Sequence, residues 1–277
     1  MDNGLKIKKS MASLIIMTGI LTVVGIMLAC APPQQVVRPL PTSSWGDNFS
    51  YSYKIPEQKA PASVEATIAV VNPYYKEAES ALIDPTYSKV AKGFSKSMAV
   101  DIDKVIIAKG MTVKGPFADI EGMTFPDKKG TDLTLTPRVF ITTHIKNSVW
   151  QLVADRLERD FEMRIGGWVA FEIREPLSNE KIWIKKLELE DIVTNGVEIF
   201  QAVPASYEMR TGLFGPYKEV TKWATGDVLY NGKLDAMADA LKKVYPIIME
   251  RFWTYVNTEE ILVMKTKTKE IRDLKRY

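Results

Sequence analysis

The sequence predicts a single α/β (α+β) domain, with a mainly antiparallel sheet and two long helices packed on one of its faces. Three patterns predict this fold: a β-branched apolar run at residues 64–71, apolar stripes at helical spacing in residues 87–106 and 234–255, and period-two alternation in residues 133–142. Each helical stripe needs an apolar cover. One face of a sheet can supply it for both helices.

A strand and a helix open the predicted domain. Residues 64–71 are mostly apolar and β-branched, as in a strand buried on at least one face. Asp84 and Pro85 are typical of a helix start and Gly110 of a helix end, with about six turns of amphipathic helix between them. Residues 111–113 then provide a return strand, which completes a β-α-β unit.

Three strands are predicted in the middle of the chain. Residues 133–142 alternate apolar and polar side chains, and Pro137 among them favours an edge position or a bulge, because proline cannot donate to the ladder. Residues 168–174 and 182–189 are β-rich runs on either side of the turn-rich segment 175–181. This arrangement predicts a hairpin.

The second long helix closes the domain, which is assigned to residues 63–260. Its apolar stripe runs over residues 234–255, and Pro246 within it predicts a kink or a split into two helices. The Lys- and Arg-rich residues 261–277 predict a solvated helical or frayed end rather than a binding site.

The amino terminus has the pattern of a secretory signal. Three lysines precede an uncharged apolar run over residues 11–29. The run ends in Met-Leu-Ala-Cys at residues 27–30, which resembles the bacterial lipobox, where the cysteine is acylated and the chain is cleaved before it. We therefore expect a signal peptide at residues 1–29 and lipidation of Cys30. An uncleaved signal anchor is the alternative, since about 20 apolar residues can cross a bilayer.

Lipidation implies a membrane partner, reached through the acyl chains on Cys30, and an outer-membrane location in a Gram-negative envelope. Which side of that membrane the domain faces stays open. Cleavage would remove three of the 37 Lys and Arg and one of the 34 Asp and Glu, which leaves a net charge of +1. A net charge this close to zero does not indicate nucleic-acid binding, which usually requires a strongly basic surface.

Residues 30–62 have the composition of a linker, with six prolines among Gln, Ser and Thr. In near-polyproline geometry, some 30 residues would span up to ~90 Å, which would let the domain stand well off the membrane. The segment also contains four aromatic residues: Trp45, Phe49, Tyr51 and Tyr53. Because aromatic side chains usually pin a linker to a surface, we expect its distal half to be packed.

The chain lacks the residues for most common catalytic sites. Cys30 is the only cysteine and His144 the only histidine, so a disulfide and a two-histidine metal site are excluded. No phosphate-cradling or nucleophile-elbow motif occurs. Carboxylate pairs for glycoside hydrolysis stay open, but we expect the acidic residues of the hairpin region to form a charged strand face and turn. These acidic residues are Glu172, Glu175, Glu188 and Asp191. We predict no enzyme activity, cofactor or metal.

The most site-like stretch is residues 205–223, predicted to be irregular, where glycines and a proline are interleaved with aromatic and cationic side chains. The candidate binding residues are Arg210, Phe214, Tyr217 and Lys218. Arg210 could pair with the carboxylate of a sialylated glycan while Tyr217 lies under the apolar edge of its ring. Ordinary β-turns with rings packed on the sheet are the alternative.

Residues 167–180, Gly-Trp-Val-Ala-Phe-Glu-Ile-Arg-Glu-Pro-Leu-Ser-Asn-Glu, and the strand after them resemble the hairpin of the neuraminyllactose-binding hemagglutinin (HpaA) lipoproteins. The order of elements extends the resemblance over residues 64–256. It implies surface display and sialyllactose binding. The Lys-rich segment proposed to bind sugar in that family has no clear counterpart here, where residues 149–159 stand in its place. The element order also resembles periplasmic domains of the CsgG, LpoB and TolB amino-terminal type.

Two functions follow as expectations. The first is a non-catalytic surface lipoprotein of the hemagglutinin-like type, an adhesin for sialylated glycans. The second is a structural lipoprotein of a periplasmic or outer-membrane machine, of flagellar or secretion type, that docks on other envelope proteins. Association with further copies of the chain stays open under both.

Overall fold

Six strands form one mixed sheet. The computed structural model describes residues 39–46, 48–57, 63–75, 80–212 and 215–275, and the chain from Leu40 onward is one compact unit. The strands are β1 (Thr67–Val71), β2 (Thr112–Phe117), β3 (Leu133–Val153), β4 (Arg156–Arg174), β5 (Lys181–Gly212) and β6 (Gly215–Asn231). Their order is β2-β1-β3-β4-β5-β6, with β1 parallel to β2 and β3 and the remaining neighbours antiparallel. The predicted fold class is confirmed.

The predicted signal peptide, the lipidation site Cys30 and the linker up to residue 38 lie outside the described residues, as does Phe214. In the part of the chain that the structure describes, no helix is both long enough and apolar enough to cross a membrane.

Helices cover one face of the sheet. Among the described residues, the α-helices are α1 (Ser88–Ala108), α2 (Phe125–Lys129), α3 (Lys233–Tyr255) and α4 (Thr258–Lys275). The apolar residues of β3 that were predicted to share one face, such as Leu133 and Val139, are buried in the same core as the stripes of α1 and α3. Phe171 of β4 packs against Phe252 of α3, with ring centroids 4.5 Å apart. The prediction of two long helices on one face is therefore correct.

The predicted β-α-β unit consists of β1, α1 and β2. The carboxylate of Asp84 accepts a hydrogen bond from the backbone N–H of Thr86 at 2.8 Å, and Pro85 begins a short 3-10 turn that leads into α1. After the helix, Gly110 has a φ of 85°, a left-handed conformation that glycine adopts at low cost. The return strand, β2, then pairs with β1 in parallel and forms the edge of the sheet.

Pro137 lies in a central strand, so the predicted edge position is wrong, but the pairing with β1 is irregular beside it, because residues 71–73 lie opposite residues 136 and 137. On the β1 side, regular pairing ends where Val70 lies opposite Leu135. The next hydrogen bonds on that side join Tyr74 to the carbonyl of Pro137 and to the N–H of Val139. The nitrogen of Pro137 faces the interval between these contacts. The proline therefore fits a central strand because that position needs no donor.

The hairpin predicted around residues 175–181 is confirmed. Trp168 lies opposite Glu188, and the pairing continues to Arg174 opposite Lys181. Within the turn, the carboxylate of Glu175 accepts a hydrogen bond from the backbone N–H of Ser178.

Helix α3 runs without a break through Pro246, so the predicted split does not occur. Pro246 lies on the exposed side of the helix, where water can bind the backbone carbonyl that the missing N–H leaves without a partner.

The basic carboxyl-terminal segment forms α4, and it is docked rather than solvated. Ile261, Met264 and Ile271 are buried at helical spacing. Arg272 donates to the carboxylate of Glu175 at 2.8 Å and to the carbonyl of Thr131 at 2.7 Å. The many lysines of this segment made its narrow apolar stripe hard to recognise in the sequence. This stripe and the buried ion pair of Arg272 with Glu175 together hold the helix against the domain.

The distal linker, residues 40–46 and 48–57, packs across α1 and α3, and we call it the strap. The indole N–H of Trp45 donates to Asp239 at 2.9 Å, and the backbone N–H of Tyr53 donates to Asp101 at 2.8 Å. The ring of Tyr51 lies 5.4 Å from that of Phe94 and 5.6 Å from that of Tyr245. The expectation that the distal half is packed is correct.

Two features of the helices accommodate the strap. Gly93 of α1 leaves room for its backbone, because a methyl group at this position would overlap the carbonyl of Phe49. Asp101, buried in α1, accepts hydrogen bonds from the strap and from the hydroxyl of Tyr245, the latter at 2.8 Å. Burial, together with this bond to Asp101, raises the pKa of Tyr245.

Candidate functional site

Strands β5 and β6 continue beyond the rest of the sheet as a two-stranded arm. Pairing of β5 with β4 ends at Gln201. From Ala202 opposite Thr225, the two strands pair with each other up to Gly212 opposite Gly215. We call residues 202–212 and 215–225 the arm.

The arm contains the segment 205–223, which was predicted to be irregular, and this prediction is wrong. Its described residues, 205–212 and 215–223, pair as an antiparallel hairpin with small register shifts near Ser206. The glycines that suggested a loop, Gly212 and Gly215, lie at its tip, where the chain reverses.

The predicted binding residues lie on different faces of the arm. Arg210 lies directly opposite Tyr217, and Lys218 lies opposite Met209. Because side chains alternate along a strand, Arg210 and Tyr217 share one face, and Lys218 belongs to the other. Phe214 lies outside the described residues. The structure therefore brings two of the four residues together.

The face with Arg210 is charged. Its guanidinium is ion-paired with Glu208 at 3.7 Å and with Glu219 of the opposite strand. Tyr217 is half-exposed beside this cluster. The cluster leaves Arg210 at the surface but already bound to two carboxylates.

The other face is mainly apolar, and the sequence analysis missed it. Tyr207 lies opposite Val220, and Met209 lies opposite Lys218. Tyr207 and Met209 are 55% and 66% exposed, and the Lys218 ammonium lies 5.9 Å from the centre of the Tyr207 ring. We call Tyr207, Met209, Val220 and Lys218 the apolar arm face. The alternation of Tyr207 and Met209 with Glu208 and Arg210 was the available signal.

A second apolar surface crosses four strands where no helix covers them. Leu152 lies opposite Leu157, Leu157 opposite Phe200, and Phe200 opposite Val228. The ring of Trp150 lies 5.7 Å from that of Phe200. We call these five residues the apolar row. Trp150, Leu152 and Val228 are exposed, and the other two residues are partly buried. Exposed apolar groups in contiguous positions are typical of an interaction surface.

A cavity of about 680 Å³ lies on the sheet face opposite the helices, at the carboxyl end of β1. Its lining includes Tyr74, Arg138, Glu172 and Arg174. The guanidinium carbon of Arg138 lies 5.8 Å from the centre of the Tyr74 ring. The cavity is large enough for a small ligand. The charged residues that line it determine which chemistry it can support.

Glu172 in this cavity is buried and paired with two cations. Arg174 and Lys181 each approach its carboxylate at 2.8 Å. Burial alone would raise the pKa of Glu172, but these two partners outweigh it and hold the pKa below its usual range. A carboxylate kept ionised by two cations serves poorly as a general acid.

Glu175 is likewise buried and held by structural partners. Burial alone would raise its pKa, but hydrogen bonds from the Ser178 N–H and from Arg272 outweigh this effect and lower the pKa. Glu188 is exposed and paired with Lys186 at 2.6 Å. The expectation of a charged strand face therefore fits Glu188, whereas Glu172 and Glu175 are buried structural charges.

His144 is exposed on β3. Among the described residues, no group of three or more His, Cys, Asp and Glu is placed to hold a metal ion.

No family model matches the chain, and no curated protein matches it in sequence. Among solved structures, a neuraminyllactose-binding hemagglutinin homolog from Helicobacter pylori is similar over 79% of this chain and 98% of its own, with 13% identity and a TM-score of 0.48.

Two further structures are similar to the chain. A lipoprotein from Neisseria meningitidis is similar over 47% of this chain and 83% of its own, with 17% identity and a TM-score of 0.24. A protein of family DUF330 from Xanthomonas campestris is similar over 80% and 97%, with 6% identity and a TM-score of 0.33. At these TM-scores the family of this chain is not defined, and membership of the hemagglutinin-like family stays a prediction.

Proposed function

We propose that the protein is a non-catalytic lipoprotein of the bacterial outer membrane, anchored by acyl chains on Cys30, that binds other molecules through its arm. The observation that carries the anchor is the position of Cys30, the only cysteine, at the end of an uncharged apolar run that follows three lysines.

With an anchor at Cys30, the strap limits how far the domain can lie from the membrane. Ser43 donates a hydrogen bond to Asp235 of α3 at 2.6 Å. Ser43 lies 13 positions after Cys30, and a fully extended chain of 13 residue steps spans at most about 47 Å. This limit is about half the reach expected for the whole linker. The anchor therefore keeps the domain near the bilayer.

The absence of catalysis is supported by the state of the acidic residues that sequence analysis left open. Glu172 and Glu175 are held by two cations and by Arg272, respectively. Their lowered pKa values favour structural roles.

The first candidate role is adhesion to sialylated glycans through Arg210 and Tyr217, which lie opposite each other on the arm. A sugar carboxylate would have to compete with Glu208 and Glu219 for Arg210. The second role is docking on envelope proteins. The apolar row favours it, because exposed apolar groups of this kind bind proteins more often than sugars.

Replacement of Cys30 tests the anchor. In Cys30→Ser, radiolabelled palmitate should no longer be incorporated, since the thiol is the acylated group. Ala31→Ser is the control and should retain the label. Undiminished labelling of Cys30→Ser would contradict the lipoprotein proposal.

Antibody labelling of intact cells separates the two roles. An adhesin should be labelled on intact cells, whereas a periplasmic component should be protected until the outer membrane is opened.

The double variant Arg210→Ala, Tyr217→Ala tests the glycan site. Adhesion to sialylated cells should fall while adhesion to desialylated cells is unchanged. The control Lys186→Ala, Glu188→Ala removes an exposed ion pair of β5 outside the arm. Equal adhesion by both double variants and the wild type would exclude the glycan site.

A further inference from the structure

Two faces of very different character make the arm amphipathic along its distal half. Glu208, Arg210 and Glu219 are ion-paired on one side. The apolar arm face on the other side has Lys218 as its single charged member, and Tyr207 and Met209 on it are largely exposed, whereas Val220 is partly buried. Contacts between opposite side chains stabilise such a hairpin only modestly, and the outer surface of this face buries no apolar area within the chain. The face is therefore available to an external surface.

We infer that the apolar arm face lies on the surface of the lipid bilayer that holds Cys30. This inference rests on the proposed lipid anchor. Its occupant is the headgroup region of the phospholipids rather than their hydrocarbon core.

The side chains of this face fit the headgroup region. Tyrosine places an apolar ring and a polar hydroxyl across the boundary between lipid and water, and lysine can bury its methylene chain while its ammonium meets phosphate. Met209 adds a flexible apolar group next to both, because Lys218 lies opposite it and the Lys218 ammonium lies near the Tyr207 ring. No carboxylate on this face opposes anionic phospholipid.

The chain reaches the domain at the base of the arm. Asp235, which accepts from Ser43 of the strap, also accepts from the hydroxyl of Tyr230 at 2.7 Å. Tyr230 lies opposite Ile199, just before the arm begins. The amino-terminal part of the strap is therefore linked to the base of the arm through Asp235, which accepts a hydrogen bond from each of them.

The lengths of the tether and the arm are compatible with one membrane plane. From Ile199 to the tip at Gly212 the strand extends roughly 43 Å, at about 3.3 Å per residue. The tether from Cys30 to Ser43 spans at most about 47 Å. The arm and the anchor can therefore meet the same bilayer.

The anchor also explains why a small apolar face is enough. A tethered domain meets the bilayer at a high effective concentration, so a contact too weak to hold a free protein can still be occupied. A protein partner would have to find the same face by diffusion. The tether therefore favours lipid as the occupant.

The test uses the full lipidated chain reconstituted in vesicles of phosphatidylethanolamine and phosphatidylglycerol. Acylation blocks Cys30, so a single new cysteine can be labelled with an environment-sensitive dye. Met209→Cys places the dye on the apolar arm face, and the matched control Glu208→Cys places it on the adjacent residue of the charged face. Nitroxide-bearing phospholipid then quenches a dye that touches the bilayer, and flotation of the vesicles reports the anchor.

We expect both variants to float with the vesicles, the dye at 209 to lose most of its fluorescence, and the dye at 208 to keep it. Flotation with no more quenching at 209 than at 208 would overturn the inference and leave the anchor intact. A dye at 209 shielded from aqueous iodide but not quenched by lipid would overturn it in favour of a protein partner or a second copy. Failure to float would overturn the anchor, and the inference with it.

Discussion

Two regions of the sheet, strand β4 beneath the helices and the arm, use the same alternating pattern differently. We call the described residues from Leu40 onward that lie outside the arm the covered region. Along β4 in this region, helices cover the alternate apolar residues, and Met163 and Phe171 are completely buried. On the arm, Tyr207 and Met209 alternate in the same manner but are mostly exposed. The difference lies in what covers the strand. Alternation in a sequence therefore predicts a two-faced strand but not whether its apolar face is core or binding surface.

Charges differ between the two regions as well. In the covered region, Glu175 is fully buried, and Arg272 donates to its carboxylate. On the arm, Arg210 and its partners are exposed to water, which screens their attraction. We expect substitutions in the covered region to affect folding and those on the arm to affect binding.

The largest effect is expected from the core. Phe94 of α1 is completely buried and packs edge-on against Tyr51 and Tyr245. Phe94→Ala should lower the free energy of unfolding by ~3 to 5 kcal/mol, because it leaves a cavity that neighbours cannot fill. Thermal melting of residues 40–277 measures it. The control is Ile107→Ala, on the exposed side of α1, which should change stability by less than about 0.5 kcal/mol. Similar melting of both variants would show that the stripe is not core.

The next effect is expected from the buried ion pair that holds α4. Arg272→Ala leaves the buried carboxylate of Glu175 without its cation and should cost about 3 kcal/mol. Lys275→Ala, which removes an exposed pair with Glu180, is the control and should cost less than about 1 kcal/mol.

Acid should reduce the difference between Arg272→Ala and the wild type. The pKa of Glu175 is lowered in the folded wild type, so its contribution is present above the unfolded pKa of about 4.3 and is lost as pH falls through the lower folded pKa. Denaturant unfolding of both proteins from pH 7 to pH 3 measures this. A difference that does not depend on pH would contradict the role of the charge.

A smaller effect is expected where the strap crosses α1. Gly93→Ala should cost about 1 to 3 kcal/mol, because the new methyl group overlaps the strap carbonyl at Phe49. In a chain that begins at residue 63 and lacks the strap, the same substitution should instead stabilise by up to about 1 kcal/mol, since alanine favours a helix more than glycine does. Urea unfolding of both pairs checks the reversal. A cost that is the same in both chains would contradict the strap contact.

Much of the covered region could be predicted from the sequence, because its signals are local. Asp84, Pro85 and Gly110 mark the limits of the first helix, and the alternation of residues 133–142 marks the buried face of β3. The position of Pro137 in the sheet could not be predicted. A proline is tolerated there because the regular pairing of β1 with β3 ends just before it, and the sequence around Pro137 does not show where that pairing ends.

The site was harder to predict than the fold. Arg210 lies opposite Tyr217 because of the register in which β5 and β6 pair. The sequence of one strand alone does not determine that register. Glycines at the tip suggested an irregular loop, although they form the end of a hairpin. The docking of α4 depended on the pairing of Arg272 with Glu175, residues that lie 97 positions apart.

The central claim is that the covered region folds without the arm, and removal of the arm tests it most directly. Replacing residues 203–224 by Asn-Gly would join Ala202 to Thr225, which already lie opposite each other, through a two-residue hairpin turn. We predict one cooperative melting transition of residues 40–277, with the midpoint within about 4 °C of the wild type, as expected for a change near 1 kcal/mol. A midpoint lowered as far as that of Phe94→Ala, or the loss of cooperative melting, would contradict the claim.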